Sequence, residues 1–232
     1  MASMKRISKI EMSTLVFVAV LTLAGAAMSY MHADLFRNQY TVEDGLIEWL
    51  TVVALVIAMV VCFRRAWLLR LQAKPLFLIM TCLFGLAFLF GAGEEISWGQ
   101  RLLGVESPEF FKQHNAQGET NFHNMMINEI KINKLVFGKG FGLLLLFYLA
   151  VLIPLYRRRA WVNRLVDQFA IPVATNYQIL AYIIVVLLVQ VGLEHSKKGE
   201  LLEFSLTWLV LLNFAYPDNR DIFKLDRDIS YH

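Results

Sequence analysis

Charge is scarce in this chain. Charged residues are 18% of its 232 residues, against roughly 25% in soluble domains, and the formal net charge is only +3. That balance leaves no basic footprint of the kind that binds nucleic acid. Thiols are scarcer still. Cys62 falls at the end of one apolar run and Cys82 inside the next, with no C-x-x-C spacing, so neither a disulfide framework nor a thiolate metal site is indicated. Both read as small apolar filler. Repeats of fixed period and low-complexity tracts are also missing, which removes solenoid and linker architectures.

Apolar residues dominate instead, at 57%, and the mean hydropathy is +0.52. They gather in six runs, over residues 13–31, 46–63, 75–93, 135–156, 177–193 and 201–216. A helix needs roughly 20 apolar residues to cross about 30 Å of hydrocarbon. The fourth run is interrupted by Lys139, glycines and Pro154, and the sixth is short and carries Glu203 and Asn213. Lipid admits only helices and closed barrels, and runs of this length are too long for barrel strands. The expected fold is therefore an all-α membrane protein, a single transmembrane domain over residues 1–232 built as a bundle of six helices. The first run also has the basic start and small residues of a cleavable signal peptide, but its apolar character continues to Met31, long enough to span.

Charge position tests this drawing, because Lys and Arg in short loops mark the cytoplasmic side. With the N-terminus inside, the cytoplasmic segments hold Lys5, Arg6 and Lys9; Arg64, Arg65, Arg70 and Lys74; Arg157, Arg158, Arg159 and Arg164; and Arg220, Lys224 and Arg227. These are 14 of the 22 basic residues, and both termini are expected in the cytoplasm. The Arg157–Arg159 cluster and the tail after Pro217 read as topology signals on a solvated surface. Most acids fall on the other side, as do four of the five histidines. Acids within spans are costly there and call for a purpose.

The outer segment from Glu94 to Lys134 is long for a connection without structure of its own. Residues 96–103 are expected to form a short amphipathic helix with Trp98 at headgroup level. Ser107 is the expected N-cap, with Pro108 at the first helical position and residues 109–114 forming one or two turns. The loop thus reads as a partly helical cap.

This cap holds the densest set of groups able to move protons or hold a metal. Glu94 and Glu95 follow the small residues Gly91, Ala92 and Gly93, and two adjacent carboxylates in a partly dry place call for a cation. A metal, a substrate amine or Arg101 would serve. On a continuing helix Arg101 lies two turns beyond Glu94, so an internal ion pair is the simpler alternative. Glu119 and His123 are four apart, which on a helix places both on one face, as a site for zinc, manganese or iron or as a carboxylate-oriented base. Glu48 is one turn into the second run, and Glu203 lies within the sixth. Convergence of Glu48, Glu94, Glu95, His123, Glu194 and Glu203 on one outer cavity is the expectation.

The string EEISWGQR, followed by N-x-Q-x-E-x-N-x-H-N and preceded in the chain by EDGLIEWLT, resembles a group of bacterial multi-pass integral membrane proteins with no established activity. The resemblance covers less than half the chain. It implies a bacterial inner (plasma) membrane location and no mechanism. The alkaline-ceramidase-like membrane hydrolases, with seven helices and a zinc site of several histidines and an aspartate, fit less well.

Two classes of function follow. The first is a hydrolase or transferase working at the outer leaflet on a lipid or lipid-linked substrate. Glu94, Glu95, Glu119 and His123 would be its catalytic groups, with Glu95, Glu119 and His123 as ligands if a divalent metal is used. Arg101 would clamp an anion, Trp98 and Phe122 would bound an acyl or sugar site, and Gln100, Asn121, Asn124, Glu48 and Glu203 would contact substrate. The second is a non-catalytic subunit, accessory factor or sensor, working with a protein partner, in which the same polar network pins the cap. A transporter ranks third, since few polar residues lie deep in the spans and broken half-helices are missing.

Overall fold

The computed structural model describes residues 7–127, 130–131 and 140–225. The expectations resting on Lys5, Arg6, Glu129, Lys134, Lys139 and Arg227, and on the start of the fourth run, lie outside the described residues. In chain order the helices are α1 (Lys9–Met31), α2 (Leu46–Leu69), α3 (Pro75–Glu95), α4 (Gln100–Leu103), α5 (Glu109–His114), α6 (Phe141–Arg158), α7 (Ala160–Gln168), α8 (Asn176–Val191) and α9 (Lys198–Ala215). Between α5 and α6, β1 (Met126–Ile127) pairs antiparallel with β2 (Ile130–Lys131) in a two-rung ladder.

Among the described residues four helices, α1, α2, α3 and α6, are long and apolar enough to cross a membrane. A lipid bilayer is the environment they suit. Of the two remaining expected spans, α8 is apolar but shorter, and α9 opens with Lys198, Glu200 and Glu203, which dilute its apolar character. Local chemistry starts the helices where it is expected to. Ser8 Oγ accepts from Glu11 N at 3.1 Å while the Glu11 carboxylate accepts from Ser8 N at 2.8 Å, a reciprocal cap on α1. Thr175 and Gln178 cap α8 in the same way, and Pro75 occupies the first turn of α3.

The chain divides into two compact units. The first comprises the chain through Ala54 together with Thr175–Asp218. Its core is Ala26, Phe36, Ile47, Val189, Leu193, Leu201 and Phe204. Gly25 permits this packing, since a Cβ there would meet the Tyr40 ring at 2.7 Å and Leu201 at 3.0 Å. Several polar groups inside it are paired: Thr22 and Ser205 hydroxyls lie 2.8 Å apart, and buried Gln178 donates to the Leu212 and Tyr216 carbonyls. Tyr177 donates its hydroxyl to buried Glu11. Glu48 accepts from Asp44 N at 3.0 Å, so its carboxylate serves the N-terminus of α2.

The second unit comprises Leu55–Ala174 and the chain from Asn219 onward. At one end Leu69, Phe77 and Ala170 are buried together, with Ile222 and Phe223 packed against them. The Arg65 guanidinium sits 4.2 Å above the Phe223 ring. Buried Asn219 ties the segment after α7 in place, accepting from Val173 N and donating to Asp167 and the Ile171 carbonyl.

Candidate functional site

The site is built where α3 stops. Residues 97, 98 and 99 take left-handed φ values of 48°, 55° and 76°, a conformation that costs a non-glycine residue about 1–2 kcal/mol. Helix α3 is therefore broken, and only Gln100–Leu103 resumes as helix before Gly104, at φ 63°, ends it. The single amphipathic helix expected over 96–103 is thus broken. Arg101 consequently does not extend the face of Glu94; its Nη1 lies 3.1 Å from Glu119 Oε1.

What holds this turn is a set of charge-assisted hydrogen bonds. Glu94 is 3% exposed. Its Oε1 accepts from Trp98 Nε1 at 2.8 Å, and its Oε2 accepts from the backbone N–H groups of Phe122 at 2.6 Å and His123 at 3.0 Å. One carboxylate thereby ties the end of α3 to a loop 28 residues further on. The Trp98 indole folds onto Gly93, where a Cβ would lie 2.8 Å from the ring. Fully buried Ser97 donates to Glu119 Oε2 at 2.6 Å and accepts from Asn121 Nδ2 at 2.8 Å.

The loop's own side chains complete the scaffold. Asn115 donates to Asn121 and accepts from the N–H groups of Gln117 and Glu119. Asn121 accepts from Asn124 N, and Asn124 donates to Gln117. Gln100 bridges Ser107 Oγ at 2.6 Å and Thr120 N at 2.7 Å. The helix expected over 109–114 is present, but Pro108 stands at its cap position, and the Ser107 hydroxyl instead accepts from Gln100 Nε2 and Thr120 Oγ1.

Residues 119–124 form turns rather than a helix. The four-residue spacing of Glu119 and His123 therefore does not place them on one helix face. Glu119 is turned to Arg101, Ser97 and Asn121. His123 instead faces Glu95, with Nδ1 4.0 Å from Oε1 and both side chains only about one-tenth exposed, at 12% and 11%. That separation exceeds a hydrogen bond but lies within ion-pair range. Glu48 and Glu203 belong to the first unit.

A row of aromatic rings runs from Trp98 to Phe111. Trp98 meets Phe90 edge-on at 5.7 Å, Phe90 stacks on Phe122 at 6.5 Å, and Phe122 meets Phe111 at 5.8 Å. Trp98 and Phe122 remain about half exposed. Sequence reasoning passes over Ser97 and Phe90, since a serine becomes a hub only through the left-handed turn, and Phe90 looks like any other residue of an apolar run.

No protein-family model matches the chain, and no curated protein or solved structure matches it either.

Proposed function

We propose that this chain is a multi-pass membrane protein of six spans whose outer-face loop folds into a polar cap, and that Glu95 and His123 are its working pair. The reaction class favoured is hydrolysis or group transfer on a lipid or lipid-linked substrate at the outer leaflet. One observation carries this reading. The oxygens of Glu94 and Glu119 are taken up by donors that fold the cap, whereas Glu95 and His123 face each other with a little solvent access. The imidazole of His123 would take a proton from water or a substrate hydroxyl, and Glu95 would stabilise the imidazolium formed. Trp98, Phe90 and Phe122 would seat an acyl chain, and Arg101, held by Glu119, would meet an anionic headgroup. Glu94 and Glu119 are positioning residues in this scheme.

Carboxylate and imidazole are also ligand types that zinc, manganese or iron takes. Metal analysis of the purified protein, wild type beside His123→Ala, separates that variant of the scheme from proton transfer alone. The six spans rest on the six apolar runs of the sequence, the inward basic ends and cytoplasmic termini on the alternation of charge along it, and the bacterial inner membrane on the resemblance of its motifs.

The test is a membrane lipid profile. Cells producing wild-type protein should differ in one lipid class from cells producing Glu95→Gln or His123→Ala at matched abundance. Profiles that are identical for all three remove the enzyme reading. The second reading, a non-catalytic subunit or sensor, is favoured by the density of the cap's own hydrogen bonds, and identical profiles would leave it standing.

A further inference from the structure

The basic end of the second unit carries a surface that the outer site does not use. Helix α7 begins two residues after α6 ends at Arg158. At about 1.5 Å per residue it is far too short to cross a bilayer. It packs on α3 within the same unit, burying Val162 and Val166 to 3% and 1% exposure. The opposite face, at spacings of three and four, presents Trp161, Arg164 and Leu165. Trp161 is 61% exposed and Leu165 46%. Arg158 and Arg159, both exposed, lead directly into it.

The arginines divide by what they touch. Arg157 donates to the Ala174 carbonyl at 3.1 Å and serves the fold. For Arg158, Arg159 and Arg164 no acidic partner is present among the described residues. The one acid on the helix, Asp167, is turned inward to Tyr156 and Asn219, so it does not offset them. Leu69 and Ala170 share a core at this same end. There Trp67 is 65% exposed with the Arg70 guanidinium 4.0 Å over its ring. Indole and leucine side chains beside unpaired arginines, on a short helix set off from a spanning one by the single extended residue Arg159, have the composition of an interfacial anchor. The bare Arg158–Arg159 cluster in the sequence reads as a topology signal; the exposed Trp161 and Leu165 beside it give it an apolar floor.

We propose that Trp161 and Leu165 lie in the headgroup zone of the membrane and that Arg158, Arg159 and Arg164 together bind the headgroup of an acidic phospholipid. Charge complementarity selects this occupant over a zwitterionic lipid. The proposal rests on the membrane assignment and not on the chemistry of Glu95 and His123.

The experiment uses full-length protein reconstituted in vesicles of equal parts phosphatidylcholine and phosphatidylglycerol, with one or the other lipid brominated. The Trp161 signal is the difference between wild type and Trp161→Phe. Brominated phosphatidylglycerol should quench it with about fivefold higher relative association than brominated phosphatidylcholine, and the preference should shrink towards one in half-molar salt. It should vanish in the Arg158→Gln, Arg159→Gln, Arg164→Gln variant. Equal quenching by the two lipids in wild type at low salt overturns the proposal without recourse to any variant. So does a preference that the folded triple variant keeps.

Discussion

At the residue scale, the two adjacent carboxylates at the end of α3 have separate jobs. Successive residues on a helix point about 100° apart, and here that difference sends Glu94 to three N–H donors and Glu95 to His123. The concentration of Glu, His and Asn in this stretch is legible in the sequence because it stands out from an apolar chain. Who partners whom is not legible, since Arg101 meets Glu119 only where residues 97–99 break the helix. In the first unit, Tyr40 donates to the Leu21 carbonyl at 2.7 Å, and burial pushes its hydroxyl up to about 12. A raised folded value stabilises the neutral form. Its contribution is complete below pH about 10, the ordinary tyrosine value, and is lost as pH rises through about 12. Melting temperature measured from pH 8 upward should therefore fall along an alkaline arm that Tyr40→Phe flattens, with about 1 kcal/mol lost at neutral pH from the missing hydrogen bond.

At the element scale, run length predicts helices well and predicts their ends poorly. Helices α1, α2 and α3 follow the apolar runs, and α5 follows Pro108, because each signal is local. The break at 97–99 is not local: neither Ser97 nor Trp98 favours positive φ, and the turn stands because buried Ser97 is hydrogen-bonded to Glu119, 22 residues on, and the Trp98 indole to Glu94, whose other oxygen holds the backbone at 122–123. Gly93 is the weak point. Alanine there would drive a methyl group into the Trp98 ring at 2.8 Å, overpacking that costs about 1–3 kcal/mol. Gly93→Ala should lower the melting temperature and shift tryptophan emission towards that of a wetter indole. Gly142→Ala, in α6 where nothing lies within 4 Å, should do neither. A Gly93→Ala protein with unchanged melt and emission would mean that the indole does not rest on Gly93.

At the scale of the whole molecule, four helices among the described residues meet the length and composition needed to cross a membrane, and the sequence drew six. The gap arises at α8 and α9, where polar residues shorten or dilute the apolar run. If both cross, a cysteine replacing Lys197 should react with an impermeant maleimide in intact cells, and one replacing Arg220 only after permeabilisation; reaction of both on the same side would remove a span. The central claim concerns the cap: Glu94 and Glu119 are proposed to build it, and Glu95 and His123 to act within it. Its most direct test is a set of thermal melts on detergent-purified Glu94→Gln, Glu119→Gln, Glu95→Gln and His123→Ala beside wild type. The first two leave buried donors unmet at about 1–3 kcal/mol each and should melt markedly lower, while the last two should melt close to wild type. Four equal losses, or a loss confined to Glu95→Gln and His123→Ala, would contradict the division of labour and make that pair part of the scaffold.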